Sequence, residues 1–201
     1  MDESLSQRLG ALPAATLYEA AGKLGDMGPE IRQMVPGVNV AGPAFTIKSF
    51  PGDTAVVLRA IDQARPGDVL VIDAGGTPHV TVWGGTSAMA CQARGIAGVV
   101  TNAAVRDLEE LIELGFPVFA RCTSVRGTVK NHPGWTGIPV SVGGVVVRPG
   151  DLVRGDMDGV VVIPAERLAE VLAKAEEQRA KEEERDKRVR AGESLAGLLG
   201  L

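Results

Sequence analysis

Apolar positions along the chain fall into two regimes. As far as Pro164, short runs of Val, Ile, Leu and Ala bounded by Gly and Pro alternate with stretches of helical spacing; beyond it, charged residues dominate. The apolar runs predict strands over Phe45–Phe50, Val69–Asp73, Ala97–Thr101, Pro117–Ala120, Val145–Val147 and Val160–Ile163. Helical spacing predicts a helix over Ala14–Leu24, where Leu17, Ala20, Ala21 and Leu24 share a face between Pro13 and Gly25, and further helices over Thr54–Ala64, Thr86–Arg94 and Leu108–Leu114. This alternation is that of an α/β fold with some parallel pairing. Pro-Gly-Asp turns at Pro51, Pro66 and Pro149 punctuate it, Pro setting one turn dihedral and Gly supplying the positive φ of a type II turn. The stretch from Gly143 to Pro164 reads as a β meander.

From Pro164 a single long helix is expected to reach about Arg190, with Glu177–Lys181, Glu183–Lys187 and Glu184–Arg188 spaced to pair across one turn. Apolar residues thin out beyond Val171, so this helix is expected to project along a neighbouring subunit. The chain therefore divides into an α/β domain over residues 1–164 and a helical extension over 165–201.

Composition narrows the partners. A 201-residue chain that is 45% hydrophobic can bury one full core. A net charge of −4 and 3% aromatic content argue against a nucleic-acid backbone or stacked bases as partner. No apolar run approaches the ~20 residues of a membrane span. Two cysteines without CxxC spacing, and no basic, apolar leader, point to the cytoplasm.

The segment from Gly84 to Asp107 carries most of the chemistry. Gly84-Gly85-Thr86-Ser87 opens a predicted helix whose first N–H groups attract a carboxylate or phosphate, with Thr86 or Ser87 as the cap. The strand that follows delivers Arg106 and Asp107 at its C-terminal end, where open α/β sheets place ligands. Asp107 is either a ligand for a hard divalent ion or the N-cap of the helix starting at Leu108, and position alone favours the cap. The glycine pair lacks the spacing of a dinucleotide site. Gly155-Asp156-Met157-Asp158-Gly159 lacks the later ligands of a calcium loop and reads as a hairpin turn. Asp73 reads as a strand-end residue, Cys91 as core, and His79 and His132 stand alone, which makes zinc improbable. Lys130 reads as a loop lysine and Glu182-Glu183-Glu184 as a solvated helix face.

With Phe116-Pro117-Val118-Phe119-Ala120-Arg121, Gly127-Thr128-Val129-Lys130, Pro149-Gly150-Asp151 and the run from Gly155 to Pro164, this segment resembles a known family. That family joins the 4-hydroxy-4-methyl-2-oxoglutarate and 4-carboxy-4-hydroxy-2-oxoadipate aldolases to the RraA-like regulators of ribonuclease E. The resemblance also takes in Thr16-Leu17-Tyr18-Glu19-Ala20 and Gly42-Pro43-Ala44-Phe45-Thr46. It implies an RraA-like swivelling-domain α/β/β sandwich with mixed sheets and a long C-terminal helix, assembled as a homotrimer or a hexamer of two trimers. It also implies an aldolase that uses Mg²⁺, Mn²⁺ or another divalent metal to cleave a 4-hydroxy-2-oxo acid, with oxaloacetate decarboxylation as a companion activity. Asp107 would be the metal ligand and Arg106 would contact substrate oxygens. The amides from Gly84 to Ser87 would hold the pyruvate carboxylate, Lys130 would meet a distal carboxylate, and Glu182 would come from an adjacent subunit. Three positions depart from the aldolases: Gly85 stands where they carry an acid, Thr54 where they carry Asn, and Asn102-Ala103 where Asp-Gly is usual. Gly85 and Thr54 favour the non-catalytic regulators, whereas Asp107, which the regulators typically lack, favours the enzymes.

Overall fold

The computed structural model describes residues 3–201. Two N-terminal helices, α1 (Glu3–Ala11) and α2 (Ala14–Ala20), precede β1 (Arg32–Gln33) and β2 (Val40–Lys48). Then follow α3 (Ala55–Gln63), β3 (Val69–Asp73), β4 (Thr81–Trp83), α4 (Gly85–Ala93), β5 (Gly98–Thr101), β6 (Ala104–Val105), α5 (Leu108–Leu114), β7 (Val118–Ala120) and β8 (Cys122–Thr123). The rest comprises β9 (Trp135–Thr136), β10 (Val140–Val142), β11 (Val145–Val147), β12 (Leu152–Asp156), β13 (Gly159–Ile163), α6 (Leu168–Arg190) and α7 (Leu195–Leu198). The architecture is a mixed α/β fold with a long C-terminal helix.

The main sheet runs β1-β7-β5-β3-β2-β12-β13, with β9 also paired to β2. Pairing is parallel from β2 through β3 and β5 to β7, and antiparallel at β1, β9, β12 and β13. The segment before β1 follows the outer edge of β13, Met27 N–H donating to Val160 O and Val162 N–H to Gly25 O, so the sheet nearly closes on itself. Strand alternation then sorts residues by face. Val69, Val71, Val100, Phe119, Val153, Val160 and Val162 fill the interior, and Leu70, Ile72, Val99 and Val118 meet α3, α4 and α5 outside. On the antiparallel half, Leu152, Val161 and Ile163 face outward onto Leu9, Leu17, Leu168, Val171 and Leu172.

Several elements differ from their sequence expectations. The first predicted helix stops at Ala20 because Gly22 turns left-handed, with Gly22 N–H donating to Glu19 O and Lys23 N–H to Tyr18 O, the paired bonds of a Schellman cap. Leu24 therefore lies exposed rather than on an apolar stripe. Strand β2 begins five residues early because its first half pairs with β12 and only its second half with β3. In place of a meander there are two hairpins in different sheets: β10–β11, closed by Gly143-Gly144 with both φ positive, and β12–β13 within the main sheet. Helix α6 buries Leu168, Val171, Leu172 and Ala175 at helical spacing, and no residue of it is buried beyond Ala175.

At the interior's widest demand, a Cβ on Gly155 would lie 2.8–3.0 Å from ring atoms of Phe119. Gly155→Ala is expected to lower stability by about 1–3 kcal/mol through overpacking. Thermal denaturation should show the loss largely relieved in Gly155→Ala/Phe119→Leu, since the two sites share one contact.

Candidate active site

Each of β3, β5 and β7 is followed by a short strand, β4, β6 and β8, and these three form a second parallel sheet in the same order. Helices α4 and α5 leave from β4 and β6, so both helix starts and the intervening turns gather at one end of the parallel half. A cleft of about 430 Å³ opens there, bounded by Gly84, Thr86, Ser87, Arg106 and Asp107 on one side and by Thr54, Thr128 and Lys130 on another.

Gly84, not Thr86 or Ser87, is the N-cap of α4, in extended backbone without a side-chain cap. The expected hydroxyl cap is absent because Thr86 and Ser87 already lie inside the first turn. Their N–H groups remain at the positive end of the helix: Ser87 N–H donates to Gly84 O at 3.1 Å, and Thr86 N–H has no partner among the described residues.

Asp107 does sit at the N-cap position of α5, yet its side chain makes no capping bond there. Its backbone is left-handed (φ 58°, ψ 42°), a conformation shared among the described non-glycine residues only with Lys23. Asp tolerates this region better than most residues, but such positions persist only when the surroundings impose them. The twist turns the carboxylate away from α5 and onto α4, where Oδ2 accepts from Gly85 N–H at 3.2 Å and lies 3.6 Å from Arg106 Nε. Both side chains stay accessible, at 50% for Arg106 and 41% for Asp107. A Cβ on Gly84 would come within 2.5 Å of that same Oδ2, so the glycine is what admits the carboxylate. A Cβ on Gly85 would coincide with the carboxylate of Glu110. The position that lacks an acid in its own side chain is thus covered by an acid from α5.

The opposite wall is held by Asp53. This buried carboxylate accepts from the N–H groups of Ala55 and Asn131 at 2.8 Å and of His132 at 2.9 Å, and pairs with His132 Nδ1 at 3.0 Å. Burial alone would raise its pKa, but these hydrogen bonds together outweigh burial and hold it well below the usual carboxylate range. Backbone bonds from Thr54 N–H to Val129 O and from Val129 N–H to Gly52 O complete the latch. Thr128 and Lys130 are thereby presented to the cleft, with Thr128 Oγ1 3.0 Å from Thr54 Oγ1.

Other candidates take structural places. Asp73 accepts from Lys48 Nζ at 2.6 Å, Asn102 Nδ2 at 2.9 Å and Gly75 N–H at 2.9 Å, and Asn102 Oδ1 accepts from Ala74 N–H, so Asn102 ties strand ends together. Burial pushes the Cys91 thiol up to about 12, which suits a core residue. His79 and Glu182 do not line the cleft; Glu182, on the unburied part of α6, accepts from Gln178 Nε2 at 3.0 Å. Among the described residues no group of three or more His, Cys, Asp and Glu gathers to form a complete metal cage.

The RraA-like profile, described as Aldolase/RraA, matches residues 14–162. The chain belongs to this family. A relative from Halalkalibacterium halodurans, named "Putative 4-hydroxy-4-methyl-2-oxoglutarate aldolase", is 37% identical over 178 residues, covering 89% of this chain and 85% of that protein. Among solved structures, RraAS2 of Streptomyces coelicolor, described as an unusual member of the RNase ES inhibitor RraA family, superposes with a TM-score of 0.83 at 29% identity, covering 93% and 98% of the two chains. The RNA-processing inhibitor RraA of Thermus superposes with a TM-score of 0.70 at 28% identity, covering 76% and 92%. This RraA-like chain is therefore similar in sequence to a protein that carries an aldolase name and in fold to others named as inhibitors.

Sequence reasoning brought together Gly84, Gly85, Thr86, Ser87, Arg106, Asp107 and Lys130, which the fold does place around one cleft, counting Gly85 through its bond to Asp107. It missed Asp53 as the anchor of the Lys130 loop. Glu110 carries no local signal either, because only the packing of α5 against α4 brings it to Gly85.

The Asp53 latch has a pH signature. A carboxyl held below its unfolded pKa of about 3.9 stabilises the fold fully above that value, and the contribution is lost as pH falls below it. Asp53→Asn should therefore lower the melting temperature at pH 7. Its stability should also fall less steeply than that of the wild type between pH 4 and pH 2, as read by denaturation across that range.

Proposed function

We propose that this cleft is the active site of a metal-dependent lyase cleaving a 4-hydroxy-2-oxo acid to pyruvate and a second 2-oxo acid. Aldolase activity within the family supports the coarse reading. The observation that carries the finer one is Asp107, left-handed and turned away from its own helix toward Arg106 and the start of α4. The oxygen donors there suit a hard ion such as Mg²⁺ or Mn²⁺ that keeps several waters, with Asp107 as its ligand. When bound, such an ion supplies a Lewis acid for the charge that develops on the 2-oxo acid as the C3–C4 bond breaks.

Arg106 offers fixed cationic donors to the substrate carboxylate and 2-oxo oxygen. The first-turn amide of Thr86, without a partner among the described residues, receives the carboxylate at the positive end of α4. Lys130, latched across the cleft, meets a distal carboxylate and selects dicarboxylic substrates. Cleavage requires removal of the 4-hydroxyl proton and protonation at C3. For that transfer we assign Glu182 of the partner subunit, in a trimer or a pair of trimers, because α6 beyond Ala175 buries nothing against its own body. Oxaloacetate would lose CO₂ through the same carbanionic product. Two cysteines that form no disulfide agree with a cytoplasmic setting, and among the described residues no helix is long and apolar enough to cross a membrane. A 2-oxo acid is the partner of the site, and neither a nucleic acid nor a membrane is invoked. The second reading is a protein-binding regulator, favoured by the neighbours named as RraA inhibitors and by Thr54.

Pyruvate release from a panel of 4-hydroxy-2-oxo acids should require Mg²⁺ or Mn²⁺ and vanish with EDTA; EDTA-resistant cleavage would refute the metal role, and no cleavage of any substrate would favour the regulator. Asp107→Asn, which keeps a residue tolerant of left-handed backbone, should abolish turnover with little change in melting temperature. Lys130→Ala should raise KM about tenfold for substrates with a distal carboxylate, the scale of one lost charge-assisted contact, and leave KM unchanged for those without.

Glu182→Gln should be inactive as a pure oligomer. Mixed with Asp107→Asn, it should regain activity through hybrid sites, and verified mixed oligomers that stay inactive would rule out a shared site.

A further inference from the structure

The start of α4 carries two adjacent glycines, and on each the Cβ position is claimed by a carboxylate of α5: Asp107 at Gly84 and Glu110 at Gly85. Backbone conformation does not explain Gly85, since neither glycine of the pair has a positive φ. Glycine is also a poor helix former, and Gly85 is the first residue of α4. The space a side chain would take is filled instead by the flexible end of Glu110. Any side chain there would expel the Glu110 carboxylate, which has no hydrogen bond or ion pair of its own among the described residues. Asp107, at the left-handed N-cap of α5, and Glu110, in its first turn, both place their carboxylates against the positive end of α4. Neighbouring Glu109 is exposed, whereas Glu110 is half-buried.

We infer that Glu110 is the second acid of the divalent-ion site: a positioning residue that acts from the outer sphere of the ion held by Asp107. This inference rests on the metal-dependent reading above. The glycine at 85 is then the means by which the acid is supplied from α5 rather than from α4. A side chain restored at position 85 competes with Glu110 for one volume, so Gly85→Glu alone gains nothing.

The test is Mn²⁺ binding to the full chain, titrated by electron paramagnetic resonance, with melting temperatures measured in parallel. Glu110→Gln should weaken Mn²⁺ binding about 10–100-fold, the range for loss of an outer-shell partner. Gly85→Ala, which leaves Glu110 in the chain but takes its place, should do the same. The double variant Gly85→Ala/Glu110→Gln should be no worse than either single variant, because both remove one interaction. Gly85→Glu/Glu110→Ala, which moves the acid to α4, should recover most of the affinity. A purely structural Glu110 would lower the melting temperature and leave Mn²⁺ affinity unmoved.

The inference is overturned if Glu110→Gln binds Mn²⁺ as the wild type does while Asp107→Asn does not, or if the wild type binds no Mn²⁺. If the affinities follow the expected pattern and no substrate yields pyruvate, the acid pair stands and the lyase reading falls.

Discussion

Phe119 fills the middle of a nearly closed sheet, and the strand opposite answers it with Gly155, which has no side chain to oppose the ring. The interior otherwise accepts small β-branched residues, with Val69, Val71, Val100, Val153 and Val162 packed around that single aromatic. Close packing of this kind leaves little slack, so the strands cannot slide relative to one another without opening a void or a clash. Register in the parallel half is therefore set from inside. The ends of β3, β5 and β7 are brought level, and β4, β6 and β8 repeat their order one layer out.

That levelling is what makes a site. Helices α4 and α5 start side by side from the second layer, and the Gly85 amide of one meets the Asp107 carboxylate at the N-cap of the other. A carboxylate beside a helix N-terminus is favoured electrostatically, which offsets part of the cost of a left-handed aspartate. The same arrangement holds the Asp107 carboxylate accessible beside Arg106, a pairing that would be of little value for stability on an open surface. Across the cleft, Asp53 spends all its bonding capacity on backbone and His132, so the loop bearing Thr128 and Lys130 is held by a group that never reaches the cleft itself.

Much of this was legible in the sequence. Strands β3 and β11 and helix α5 match their predicted bounds, because an unbroken apolar run or a clear stripe between Gly and Pro signals is a local property. The Arg106-Asp107 pair, the glycine pair and the family resemblance likewise lie in contiguous residues. The two-residue strands β1, β6, β8 and β9 were not legible, since two residues carry no periodicity and pair only because longer strands bring them together. The division of the last four strands into two hairpins depended on a turn at Pro149-Gly150 whose direction no local pattern encodes.

The alternation of elements, the apolar faces and the set of chemical groups available follow from local sequence, because they depend on neighbours within a few residues. What those groups meet follows only from the packing of distant segments. Asp107 reads locally as a helix cap, and only the placement of α4, 22 residues earlier, gives its carboxylate a different donor. Gly85 reads as a missing acid, and only the packing of α5 shows that Glu110 occupies its place. Such contacts join segments far apart in the chain, and their geometry is set by the filled interior that aligns the strand ends.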